Sequence, residues 1–108
     1  MILLGVFGLL FLASSFINSL NHEPAKLFVV VLDAGHGGKD SGNIGNGFRE
    51  KEIALDVSLQ VGEILSAEPN IKVIYTRKTD VFIALDERAP VANKADADLF
   101  VSIHCNAH

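Results

Sequence analysis

The sequence predicts an α/β fold, a mostly parallel sheet with flanking helices laid out as a β-α-β-α-β core. Three observations carry this. Leu27–Leu32 is an unbroken apolar run with three valines at its centre, which suits a strand covered on both faces, as in a parallel sheet. From Glu50 to about Ala67, apolar residues recur at three- and four-residue steps, the mark of an amphipathic helix. Beyond it, the short apolar segments Ile71–Tyr75 and Asp98–Ile103 flank a second helical stretch, so strands and helices alternate.

Taken in order, Met1–Leu20 carries no charged side chain and reads as a signal peptide or a membrane anchor. Ile2–Ala13 is an apolar stretch, and Ala13-Ser14-Ser15 offers small residues for cleavage. No Lys or Arg precedes the apolar run, and the segment is just long enough to span a bilayer, so both alternatives stand. Either one carries the rest of the chain across a membrane, and membrane contact is expected only through this segment. Residues 21–26 form a polar linker containing a proline.

The first strand runs into a loop from Asp33 to about Phe48, rich in Gly, Asn, Asp and Ser. It is long for a strand-to-helix connection, and long ordered loops tend to be functional. Gly35, Gly37 and Gly38 surround His36 and let the backbone bring the imidazole to the lip of the sheet, where open α/β sheets bind ligands. In the helix that follows, Ile53, Val57, Val61, Ile64 and Leu65, with Ala54 beside them, form the expected inward stripe. Leu55 and Leu59 widen it, and Glu52, Asp56, Gln60 and Glu63 keep one side polar. Glu50 and Glu52 suit the positive end of the helix dipole, and Pro69-Asn70 ends the helix. Thr76–Asp80 is a polar turn. The second helix, from Ala84 or Leu85 to about Ala95, is expected to turn Leu85, Ala89 and Ala92 inward, with Pro90 predicting a kink or a late start.

A net charge of −4 and the lack of any Lys/Arg cluster argue against a nucleic-acid surface. The single cysteine, Cys105, excludes an internal disulfide framework and a cysteine-rich zinc site. It reads as a small buried thiol rather than a nucleophile. The glycine-rich loop lacks the spacing of a phosphate cradle and of G-x-G-x-x-G, and Ser102 lacks a nucleophile elbow. What remains is a pair of histidines. His36 follows the first strand and His104 ends the third, so a parallel sheet brings both to one edge. The helix after the first strand begins at that same edge, with Glu50. His-Glu-His plus a water is a ligand set of catalytic zinc. On these residues alone the alternative is two ordinary loop histidines and a first-turn carboxylate.

The segments LDAGHGGKDSG, REKEIAL, YTRKTD, LDERAPVAN and ADLFVSIHCNAH, in that order, resemble the zinc-dependent N-acetylmuramoyl-L-alanine amidases of bacterial cell-wall turnover. The resemblance covers about Phe28 to His108. It implies a mostly parallel α/β fold, one Zn²⁺ held by His36, Glu50 and His104, and export to the periplasm or cell envelope. It also implies peptidoglycan as substrate, cut at the amide between the muramic-acid lactyl group and L-Ala. Arg77, Arg88 and Asn106 match family positions too, with bracing of the loop edge as their expected role. The family's proton-shuttling glutamate lies late in the domain, beyond His108, and Glu52, two residues from Glu50 on a helix, faces away from it. No catalytic acid/base is therefore identified within the chain. Residues 27–108 read as the N-terminal part of an amidase catalytic domain, in a chain that looks truncated. The alternative is a catalytically inactive wall-binding or regulatory fragment of the same fold.

Overall fold

The computed structural model describes residues 25–106; the expected leader at 1–20 lies outside them. The elements are β1 (Phe28–Ala34), β2 (Ile44–Gly45), β3 (Phe48–Arg49), α1 (Glu50–Ser66), β4 (Ile71–Tyr75), α2 (Leu85–Lys94) and β5 (Leu99–Ile103). β4, β1 and β5 form a parallel sheet in that order. β1 takes the centre because its residues are apolar on both faces. Val31, Leu32 and Ala34 are at most 1% exposed, and the β-branched valines suit the pleat.

The register decides where the chemistry sits. β4 pairs with the first part of β1, from Phe28↔Ile71 to Leu32↔Tyr75. β5 pairs further along, from Val30↔Leu99 to Ala34↔Ile103, and Gly35 N–H extends the ladder to the Ile103 carbonyl at 3.0 Å. Both strands thus run out together, one into His36 and the other into His104. α1 carries the chain from β1 to its neighbour β4, whereas α2 carries it from β4 back across β1 to β5. Right-handed crossovers in opposite directions put the two helices on opposite faces.

α1 has the expected span but turns a different stripe to the sheet. The buried residues are Ala54, Ser58 and Gly62, at four-residue steps, preceded by Glu50 and Lys51. Of the residues expected inside, Ala54 is buried and Val61 and Leu65 are half-buried, but Ile53, Val57 and Ile64 are exposed (38%, 39% and 70%). Small residues face the sheet because the helix lies close to it: a Cβ on Gly62 would collide with the Tyr75 hydroxyl. Ser58 satisfies its buried hydroxyl by donating to the Ala54 carbonyl at 2.7 Å.

α2 is also turned differently. Leu85 and Ala89 are exposed, Ala92 is half-buried, and the buried residue is Arg88. Pro90 lies inside the helix, which begins at Leu85 rather than late. The stretch read as an uninterrupted loop contains the antiparallel ribbon β2–β3, pairing Ile44 with Arg49 and Gly45 with Phe48. Asn46 (φ 52°) and Gly47 (φ 81°) are the two left-handed residues of its turn. Among the described residues no helix is long and apolar enough to cross a membrane.

Candidate metal centre

His36 leaves β1 through a backbone that only a well-braced loop sustains. Its φ is 59°, a left-handed value uncommon outside glycine, and Gly37 follows at φ 124°. Two buried arginines hold this turn. Arg77 donates to the carbonyls of Ala34 (2.9 Å), Gly35 (2.7 Å), Lys51 (2.9 Å) and Thr79 (3.2 Å). Arg88 donates to Asp33 Oδ1 and the Ala34 carbonyl (both 2.8 Å), and to the carbonyls of His36 and Ile83 (both 2.9 Å). From the other side, Lys51 Nζ reaches the Gly38 carbonyl and Asp80, while Asp80 accepts the Gly38 N–H. A loop whose carbonyls are tied to three buried cations presents its histidine in one orientation.

His104 lies directly over Gly35, where any Cβ would run into the imidazole ring. The two imidazoles meet edge to face, with centroids 4.9 Å apart. Glu50, the first residue of α1, is 3% exposed. Its Oε2 accepts the backbone N–H (2.9 Å) and the side-chain amide (3.0 Å) of Asn43, and its Oε1 accepts the Cys105 N–H (2.8 Å). Burial pushes the Glu50 carboxyl up, but the N–H groups of Asn43 and Cys105, with the charge and hydrogen bond of His36, outweigh it and hold the pKa at about 2.

Three donor atoms converge here. His36 Nε2 and Glu50 Oε1 are 3.0 Å apart, His104 Nδ1 and Glu50 Oε1 3.2 Å, and His104 Nδ1 and His36 Nε2 3.2 Å. A tetrahedral zinc with bonds of about 2.0–2.1 Å sets its ligand atoms roughly 3.3 Å apart, so this triangle has the size of one face of such a centre. The donor chemistry, two imidazoles and a deprotonated carboxylate, suits the same ion. The other ring nitrogen of His36 meets Asp40 Oδ2 at 2.9 Å, the arrangement that fixes a metal-binding histidine's tautomer. The trio borders a hollow of about 600 Å³ whose other walls are Gly42, Asn43, Cys105 and Asn106.

Of the residues singled out in the sequence, His36, Glu50 and His104 come together, and Asn106 lines the same hollow. Arg77 and Arg88 stand behind the loop, and Glu52 lies outside the hollow, 3.6 Å from Arg49. Cys105 is half-buried at the rim rather than enclosed. Asp33, Asp40, Asn43 and Lys51 were not anticipated, and Asp40, four residues after His36, offered the best signal.

The profile of Amidase_3, N-acetylmuramoyl-L-alanine amidase, matches residues 30–108. The chain belongs to this family. An endolysin of Bacillus phage SPP1 is 53% identical over 79 residues, covering 73% of this chain and 29% of that protein. The N-acetylmuramoyl-L-alanine amidase AmiC of Escherichia coli O6:H1 is 46% identical over 80 residues, covering 73% of this chain and 19% of AmiC. Among solved structures, the catalytic domain of CwlV, an N-acetylmuramoyl-L-alanine amidase from Bacillus (Paenibacillus) polymyxa var. colistinus, superposes with a TM-score of 0.74 at 44% identity. That match covers 76% of this chain and 47% of the CwlV chain. The chain thus spans less than a third of these two sequence relatives and about half of the solved amidase domain.

Proposed function

We propose that this amidase-family chain contributes the metal-holding half of a zinc-dependent hydrolase acting on the amide between N-acetylmuramic acid and L-alanine in peptidoglycan. The observation that carries the proposal is the triangle of His36 Nε2, Glu50 Oε1 and His104 Nδ1, sized for one face of a tetrahedral ion. Those three atoms would hold Zn²⁺. When bound, the ion supplies a water acidified toward a pKa of roughly 7 and a Lewis acid for the scissile carbonyl.

The chain's own residues keep the donors aimed and free of protons. Asp40 accepts the Nδ1–H of His36, which leaves the Nε2 lone pair for the metal. The N–H groups of Asn43 and Cys105 hold Glu50 ionised. Arg77 and Arg88 are positioning residues: they act through the loop carbonyls. The leaving amine needs a proton, and positioned acids contribute roughly 10²–10⁴-fold to such steps. Glu50 is the one carboxylate among the described residues lining the hollow, and it is committed to the metal. We therefore assign proton transfer to a glutamate in the later part of the amidase domain that this chain does not cover, as the resemblance implies. We assign export to the periplasm or cell envelope to Met1–Leu20, acting as signal or anchor.

The test uses this chain joined to the part of the CwlV catalytic domain that it does not cover. Incubated with zinc and purified muropeptides, the chimera is expected to release stem peptides with a new L-Ala amino terminus, and Glu50→Gln to abolish release. A cut at another bond, or release unchanged in Glu50→Gln, would overturn the proposal.

A further inference from the structure

A second hollow, of about 370 Å³, opens on the hairpin side of the metal centre and has a different chemical character from its surroundings. Asn43, Asn46 and Asn106 line it with carboxamides, and Phe48 and Ile53 with apolar surface. Its remaining walls are Gly45, Glu50 and Cys105, so Asn43, Glu50, Cys105 and Asn106 border both this hollow and the metal hollow. The two hollows therefore adjoin across these four residues. Phe48 is 63% exposed on a two-residue strand that ends one residue before Glu50. The ring is therefore held at a short, fixed distance along the chain from a metal-holding side chain. Asn46 sits at the tip of the turn in a left-handed conformation.

We infer that this hollow is the subsite for the glycan part of the substrate, with Phe48 as the platform for a sugar ring. The inference rests on the amidase reading and specifies which side of the metal the saccharide occupies. An N-acetylated sugar presents C–H groups on its ring face and uncharged donors and acceptors around its rim. An aromatic face carries partial negative charge and attracts the C–H side. Carboxamides supply donor and acceptor together, which matches hydroxyl and acetamido groups. The hollow offers both, and its one carboxylate, Glu50, is already occupied by Asn43 and the Cys105 N–H.

The hollow on the opposite side of the histidines, of about 290 Å³, is built otherwise. Its polar lining includes Asp33, Asp40 and Arg88, which are bonded within the protein: Asp33 to Arg88, Thr76 and Ser102, and Asp40 to His36 and the Gly42 N–H. No carboxamide lines it. Uncharged saccharide therefore fits the hairpin side, where Asn46 and Asn106 add carboxamides beside the exposed Phe48 ring. Asn43 is tied to Glu50 and the Cys105 carbonyl, and the opposite hollow has an exposed ring, Phe82, but no carboxamide.

The test is an NMR titration of the zinc-loaded chain with a peptide-free glycan fragment of N-acetylglucosamine and N-acetylmuramic acid whose lactyl carboxyl is capped as an amide, and separately with free stem peptide. The glycan is expected to move the amide resonances of Asn43, Asn46 and Phe48. Phe48→Leu, which keeps the apolar bulk but loses the ring, should weaken binding roughly tenfold, and Phe48→Tyr should restore it. Shifts centred on Phe82–Leu85, no shift at millimolar glycan, or equal affinity for Phe48→Leu and the parent chain would overturn the inference. Glycan binding at the hairpin without amide cleavage by the chimera would sink the amidase reading and leave the saccharide site standing. Cleavage with no glycan effect at the hairpin would do the reverse.

Discussion

His36 has two ring nitrogens with different neighbours, and that difference sets its chemistry. Nε2 faces Glu50 and His104, while Nδ1 meets Asp40 at 2.9 Å. Asp40→Asn should weaken zinc binding about 10- to 100-fold, read by competition with a chelator, because outer partners of this kind orient and strengthen the ligand; unchanged affinity would remove Asp40 from the centre. Asp33 sets a different property. Burial pushes its carboxyl up, but the hydroxyls of Ser102 and Thr76 and the Arg88 guanidinium outweigh this and hold it below the usual carboxylate range. A depressed folded-state pKa means stability that is present at neutral pH and lost as pH falls below about 4. Asp33→Asn should therefore cost roughly 3–5 kcal/mol at pH 7 by leaving Arg88 buried without its counter-charge. The gap from the parent chain in urea unfolding should narrow below pH 4, and a gap independent of pH would contradict the assignment. At this scale the sequence revealed the histidines and Glu50 because topology alone brings them to one edge. Asp33, Asp40 and Asn43 stayed hidden, since a loop full of Asp, Asn and Gly looks like ordinary turn chemistry until the atoms each one meets are known.

α1 separates what periodicity tells from what it does not. The span was legible, because apolar residues recur at helical steps and Pro69 stops them. The face was not. Hydrophobicity favours Ile53, Val57 and Ile64, whereas close approach to the sheet selects Ser58 and Gly62 beside the expected Ala54. The two alternatives differ in outcome on mutation. Gly62→Leu should cost about 1–3 kcal/mol or more by forcing the helix off Tyr75. Ile64→Lys should change stability by no more than about 0.5 kcal/mol, since its side chain stands largely in water. Denaturant midpoints compare them, and the reverse ranking would restore the stripe that periodicity favours. The β2–β3 ribbon was missed for another reason. Its flanking strands are two residues each, too short to alternate visibly, although Asn46-Gly47 is the dipeptide that hairpin turns of this type demand.

For the whole molecule, the α/β class was legible because buried strands and amphipathic helices alternate, and the strand order then puts β1 in the middle with its partners ending beside it. The described residues supply metal donors without a free acid at the hollow. The chain alone should thus bind zinc yet release stem peptide from muropeptides at least about 10²-fold more slowly than the chimera with the remainder of the CwlV domain. Comparable rates would mean that a group within this chain moves the proton. The most direct check on the convergence of His36, Glu50 and His104 is the zinc content of the purified chain after dialysis. One zinc per chain is expected, with loss of the metal in both His36→Ala and His104→Ala; zinc retained at full content in both variants would contradict the metal centre.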